Sequence, residues 1–129
     1  MRNLETLKNE FGFNSLIECM LCTDVEHLES ESESGIYFDI DSVHESVIDT
    51  LKIKYNGFID TALTILPPDF VVNWEQIGHD FWLTCKGHGA GFWDREELTY
   101  DNVGNQLTKV CESIYLGDLY EHNGNIYIE

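Results

Sequence analysis

The chain has 129 residues, with 24 Asp or Glu against 7 Lys or Arg, a formal charge of −17 and a pI of about 4.3. Its length and its 43% hydrophobic and 12% aromatic content are enough to fill one core, which excludes disorder as the default state. The charge excludes direct electrostatic binding to nucleic acid, which needs Lys and Arg to displace counterions from phosphates, and it disfavours anionic membrane surfaces.

In chain order, Met1 to Phe13 carries Glu5 and Glu10 among its apolar residues, so it reads as neither a signal peptide nor a membrane span. The expected compartment is therefore the cytoplasm, where Cys19, Cys22, Cys85 and Cys111 stay reduced. Leu4, Leu7 and Phe11 recur at helical spacing, as do Leu16, Cys19 and Met20, with Asn14 or Ser15 capping the second set as a separate helix. Glu26 to Gly35 interleaves Glu29, Glu31 and Glu33 with serines, the pattern of a solvated loop with a strong negative field.

Ser42 and Glu45 form an S-x-x-E capping box, and Val43, Val47, Leu51, Phe58 and Ala62 carry one long helix onward, with a bend point at Asn56-Gly57. Asp41, Glu45 and Asp49 make an acidic row on another face. After Pro67-Pro68, Asp80–Cys85 and Gly91–Asp94 read as short aromatic strands joined by a glycine-rich turn. Leu98, Val103, Leu107, Val110, Cys111 and Ile114 return to helical spacing, and Gly104 marks close packing. Leu119–Glu121 and Asn125–Ile128 flank Asn123-Gly124, a strong hairpin signal because a type I′ turn needs positive φ at both central residues. The prediction is one α+β domain over 1–129, helical in 1–66 and β-rich in 67–129, with three or four helices packed on a small antiparallel sheet built from two hairpins.

The run from Gly78 to Arg95, GHDFWLTCKGHGAGFWDR, resembles the signature of a family of small acidic proteins, mostly from bacteriophages, that carries no general function. The helix around Ser15–Cys22, the acidic loop, the long helix from Ser42 and the closing hairpin come in the order such proteins show. Cys85-Lys86 stands where that pattern has a basic residue followed by Asn, so a charge at position 85 is missing. The resemblance implies a viral accessory protein acting in the host bacterial cytoplasm.

Within the signature, His79, Asp80, His88 and Asp94 invite a metal or acid–base reading, because imidazole and carboxylate are the usual ligands and proton carriers. In a strand, however, His79 and Asp80 leave opposite faces. The bland alternative is a hairpin whose His and Asp side chains, with Gly87, Gly89 and Gly91, serve the tight turn. Phe81, Trp82, Phe92 and Trp93 read as core aromatics or as anchors for a partner. Cys19-x-x-Cys22 lies in an apolar helical stripe and reads as buried packing rather than a redox or zinc site. No P-loop context surrounds the glycines. No cofactor, no metal and no catalytic residue is assigned.

The surplus charge exceeds the magnitude of about 2 to 8 that suffices for solubility. Carboxylates at Glu29, Glu31, Glu33, Asp39, Asp41, Glu45 and Asp49 are thus the candidate partner-binding surface, suited to a basic groove that normally holds nucleic acid. The expected function is a non-enzymatic phage accessory protein that inhibits a host nucleic-acid-handling or defence protein. The alternatives are a small metal-dependent enzyme or ligand-binding module at the His/Asp signature, and a virion or assembly component.

Overall fold

A computed structural model describes residues 4–25 (backbone alone for 4–11), 28, 40–66, 73–88, 91–92 and 102–129. Helix α1 runs unbroken from Leu4 to Met20 and continues as a π-helical turn, Leu21–Val25. The expected cap at Asn14 or Ser15 is not formed. Both residues lie inside α1, and the Ser15 hydroxyl donates instead to the carbonyl of Glu75, 2.5 Å away on a neighbouring helix.

Helix α2 spans Glu45–Ile65 without a break at Asn56-Gly57. It starts at Glu45 rather than at a Ser42 cap, because the preceding backbone is already committed. Val43 pairs with Ile126 in a parallel bridge, the His44 N–H donates to the Ile126 carbonyl at 2.9 Å, and Ser42 closes a 3₁₀ turn, Ile40–Ser42. His44 is left extended and takes over as N-cap, its ring Nδ1 accepting from the Ser46 N–H.

Helix α3, Trp74–Cys85, overturns the expected first hairpin. Asn73 caps it by accepting from the Gln76 N–H, and Ile77, Phe81, Trp82 and Thr84 are its buried face. Read from Asp80 onward, the aromatic pair suits a strand equally well. The two turns upstream, with their cap, decide for helix. Past the C-cap at Lys86, Gly87 takes φ of +68°, its N–H donates to Thr84 O, and the His88 N–H donates to Leu83 O. This is a Schellman ending, which requires a residue tolerant of positive φ. The glycine-rich turn thus begins as the stop of a helix.

Helix α4, Val103–Glu112, keeps the predicted stripe of Val103, Leu107 and Cys111 in the core. The closing hairpin forms as predicted: β1, Leu119–His122, pairs antiparallel with β2, Asn125–Ile128, and Asn123 and Gly124 take φ of 53° and 82°. Among the described residues the sheet is this one hairpin, and the stretch after residue 67 contributes two helices besides it. The architecture is α+β, with helices dominant.

Helix α1 packs mainly on α3, and the two backbones touch: a Cβ on Gly78 would overlap the Gly12 carbonyl, and one on Gly12 would overlap the Tyr55 hydroxyl. Helix α4 lies against α2 and α3, and β2 against α2. At the centre, Phe58 stacks on Phe81 and Phe92 with centroids 4.7 and 5.6 Å apart, and Tyr55 meets Phe81 edge-on at 5.6 Å. Phe81, Trp82 and Phe92 are thus core residues, each fully buried. Burial of this kind contributes roughly 1.5–3 kcal/mol per large apolar side chain.

Candidate functional site

The Schellman turn sets His88 at the end of α3, and the π-helical turn sets Thr23 and Asp24 at the end of α1, so the close α1–α3 packing brings the two turns face to face. A π-turn inserts one residue into helical register and re-aims the side chains that follow. His88 Nε2 lies 2.6 Å from Asp24 Oδ1, and the same oxygen accepts from the Trp82 indole N–H at 3.1 Å. The indole N–H also reaches Thr23 Oγ1 at 3.0 Å, while the Thr23 hydroxyl lies 2.7 Å from the Cys19 carbonyl. A carboxylate only accepts, so Nε2 carries the proton in this bond and the neutral ring keeps Nδ1 as its basic nitrogen.

Lys86 closes the other side. Its Nζ donates to the Gly117 carbonyl at 2.7 Å, pairs with Asp118 Oδ1 at 3.5 Å and Asp24 Oδ2 at 4.0 Å, and sits 5.7 Å from the centre of a Trp82 ring. Thr23, Asp24, Lys86, His88 and Asp118, with Leu28 and Leu119, line a cleft of about 300 Å³. The local charge also acts on Cys19: burial first, then Cys22, Asp24 and Asp80, push its thiol from the ordinary 9.0 up to about 12. Cys19 behaves as a buried packing residue, as its helical stripe implied, whereas Cys22 is exposed on the π-turn.

The signature residues divide in the fold. Trp82 and His88 converge on Asp24, His88 from the cleft and Trp82 from the core, and Gly87 shapes the turn that places His88. Asp80 is fully buried, and its neighbour His79 is half exposed with Nδ1 3.7 Å from the Asp80 carboxylate. Gly91 is buried beside Phe92, whose N–H donates to Thr84 Oγ1. Gly89, Trp93 and Asp94 lie outside the described residues, as do Glu29, Glu31, Glu33 and Asp39. Among the described residues no group of three or more His, Cys, Asp or Glu side chains is arranged to hold a metal ion.

Asp41 in the 3₁₀ turn and Glu45 and Asp49 at the start of α2 are all exposed, and the row gives way to Lys52. Exposed acids are not confined to this row. Glu18, Asp60, Glu75, Glu112, Asp118, Glu121 and Glu129 spread them over every helix and the hairpin, while Lys52 and Lys109 are the exposed cations among the described residues. No helix among those residues is long and apolar enough to cross a membrane.

Thr23, Asp24 and Lys86 were missed by sequence reasoning. One signal was available: a buried indole N–H needs an acceptor, so a Trp inside an apolar stripe implies an oxygen brought from elsewhere in the fold. Comparison with protein-family models, with curated proteins and with solved structures finds no match to this chain.

Proposed function

We propose that this is a non-enzymatic accessory protein, of the phage type its signature resembles, that docks on a basic surface of a host nucleic-acid-handling or defence protein and blocks it. The observation that carries the reading is the imbalance of the described surface, where acids are exposed on every helix and the hairpin against two exposed lysines. Such a field speeds encounter with a cationic partner and repels phosphates and anionic lipid. The test is capture of partners from host lysate, with and without competing DNA, followed by kinetics across salt concentrations. The reading expects nucleic-acid-handling partners that DNA displaces and an on-rate that falls as salt rises. Partners with neutral or acidic surfaces would sink it.

A second reading belongs to the cleft. The Asp24–His88 pair holds an imidazole in one tautomer at the wall of a 300 Å³ space, an arrangement able to accept a proton or to orient a small polar ligand. It predicts that His88→Gln abolishes a function that Asp49→Asn leaves intact, with the thermal transition of both variants retained. Equal function in the two variants would remove it.

A further inference from the structure

We propose that the outward face of the β1–β2 hairpin is the surface on which the partner docks, and that its occupant is a protein segment presenting arginine side chains. The proposal rests on the reading of a basic partner given above and names where and how that partner is held.

Strand alternation sends Ile126 into the core, where it is fully buried, and sends Tyr120, His122 and Tyr127 to the opposite side. Tyr120 and Tyr127 stack across the strands with centroids 5.6 Å apart and planes 23° from parallel. His44 covers the other flank of Tyr127 at 4.9 Å, and His122 approaches it at 6.4 Å. Tyr120 remains 42% exposed, and His44 and His122 are exposed as well. The rings are therefore ordered before any partner arrives, so docking loses little side-chain entropy.

Carboxylates border this face on the His44 side. Asp41 and Glu45 are both exposed and flank His44 in the chain, whereas Glu121, paired with Ile126 across the hairpin, leaves from the opposite side of the strands. An aromatic face edged by carboxylates suits guanidinium, which is planar, stacks on rings and pairs with carboxylates through two parallel hydrogen bonds. An ammonium group pairs with the acids but lacks the planar stack. A second copy of this chain is a poor occupant, because each copy brings a charge of −17 to the contact.

The test titrates the protein with an oligo-arginine peptide and with an oligo-lysine peptide of equal length, following ring resonances of Tyr120, Tyr127, His44 and His122 by NMR. Oligo-arginine is expected to shift those resonances. Tyr120→Leu should weaken its binding roughly five- to tenfold while Tyr120→Phe, which keeps the ring, retains it. Oligo-lysine binding should change by less than about twofold in either variant. Removing the remote acids with Glu18→Gln and Glu75→Gln should leave oligo-arginine binding to the rings intact. The proposal is overturned if neither peptide binds, if binding leaves the four rings unshifted, or if the remote pair weakens binding as much as Tyr120→Leu. Oligo-arginine binding mapped elsewhere removes this surface and leaves the basic-partner reading standing; capture of only neutral or acidic partners removes that reading.

Discussion

Two carboxylate-bearing regions of this molecule behave in opposite ways. In the cleft between the α1 and α3 ends, Asp24 accepts from Trp82 and His88 and faces Lys86, so its charge serves to hold the two helix ends together. In the first two turns of α2, Glu45 and Asp49 stand exposed, and their charges act outward on whatever approaches. The difference teaches that an acidic composition is not one property. Burial and the supply of donors decide whether a carboxylate is a structural acceptor or part of a field.

The contrast is breakable by substitution. The largest loss is expected for Gly78→Ala, which forces the α1 and α3 backbones apart at Gly12 and should cost about 3 kcal/mol in denaturant unfolding. An unchanged midpoint would mean the cleft does not depend on that close approach. Next comes Asp24→Ala, which strips the shared acceptor from the Trp82 and His88 N–H groups and should cost about 2 kcal/mol. Asp49→Asn on the exposed row should stay within about 0.5 kcal/mol of the parent in the same assay. Similar losses for the two would erase the distinction drawn between the regions.

A pH dependence sharpens the comparison further. The folded state holds the Cys19 proton up to about pH 12, whereas the unfolded thiol releases it near its ordinary 9.0. The stability this contributes is present in full below pH 9 and is lost as pH rises toward 12. Urea midpoints measured from neutral to alkaline pH should fall in that window, and Cys19→Ala should flatten the slope. An effect of the opposite sign is expected at Tyr55, whose buried hydroxyl has no hydrogen-bond partner among the described residues and whose ionisation is pushed up by burial. Tyr55→Phe should be neutral or stabilising by up to about 1 kcal/mol in a thermal melt.

Much of the fold was legible where a pattern was local. The Asn123-Gly124 turn, the α4 stripe and the body of α2 follow from residues close together in the chain. Helix α3 was hidden because Phe81-Trp82 satisfies two periods at once, and the deciding cap at Asn73 lies upstream of the signature. The start of α2 was displaced by a tertiary contact, the Val43–Ile126 bridge, that no window of local sequence contains. The cleft was half legible: Trp82 and His88 stood in the signature. Asp24 has no motif of its own and becomes a partner only through the packing of α1 on α3.

That Val43–Ile126 bridge has a consequence for the order of events as the chain is made. Both α3 and α4 are synthesised between its two partners, so the first turn of α2 is complete as a helical segment long before the strand that pins its entry exists. Until β2 is made, Val43 has no strand to pair with, so the Ser42–Glu45 capping box written in the sequence does not compete with that bridge. In the folded chain the pairing with Ile126 holds Val43 and His44 extended, and the helix starts downstream at Glu45. The first turn of α2 therefore takes its final form only once β2 has been made.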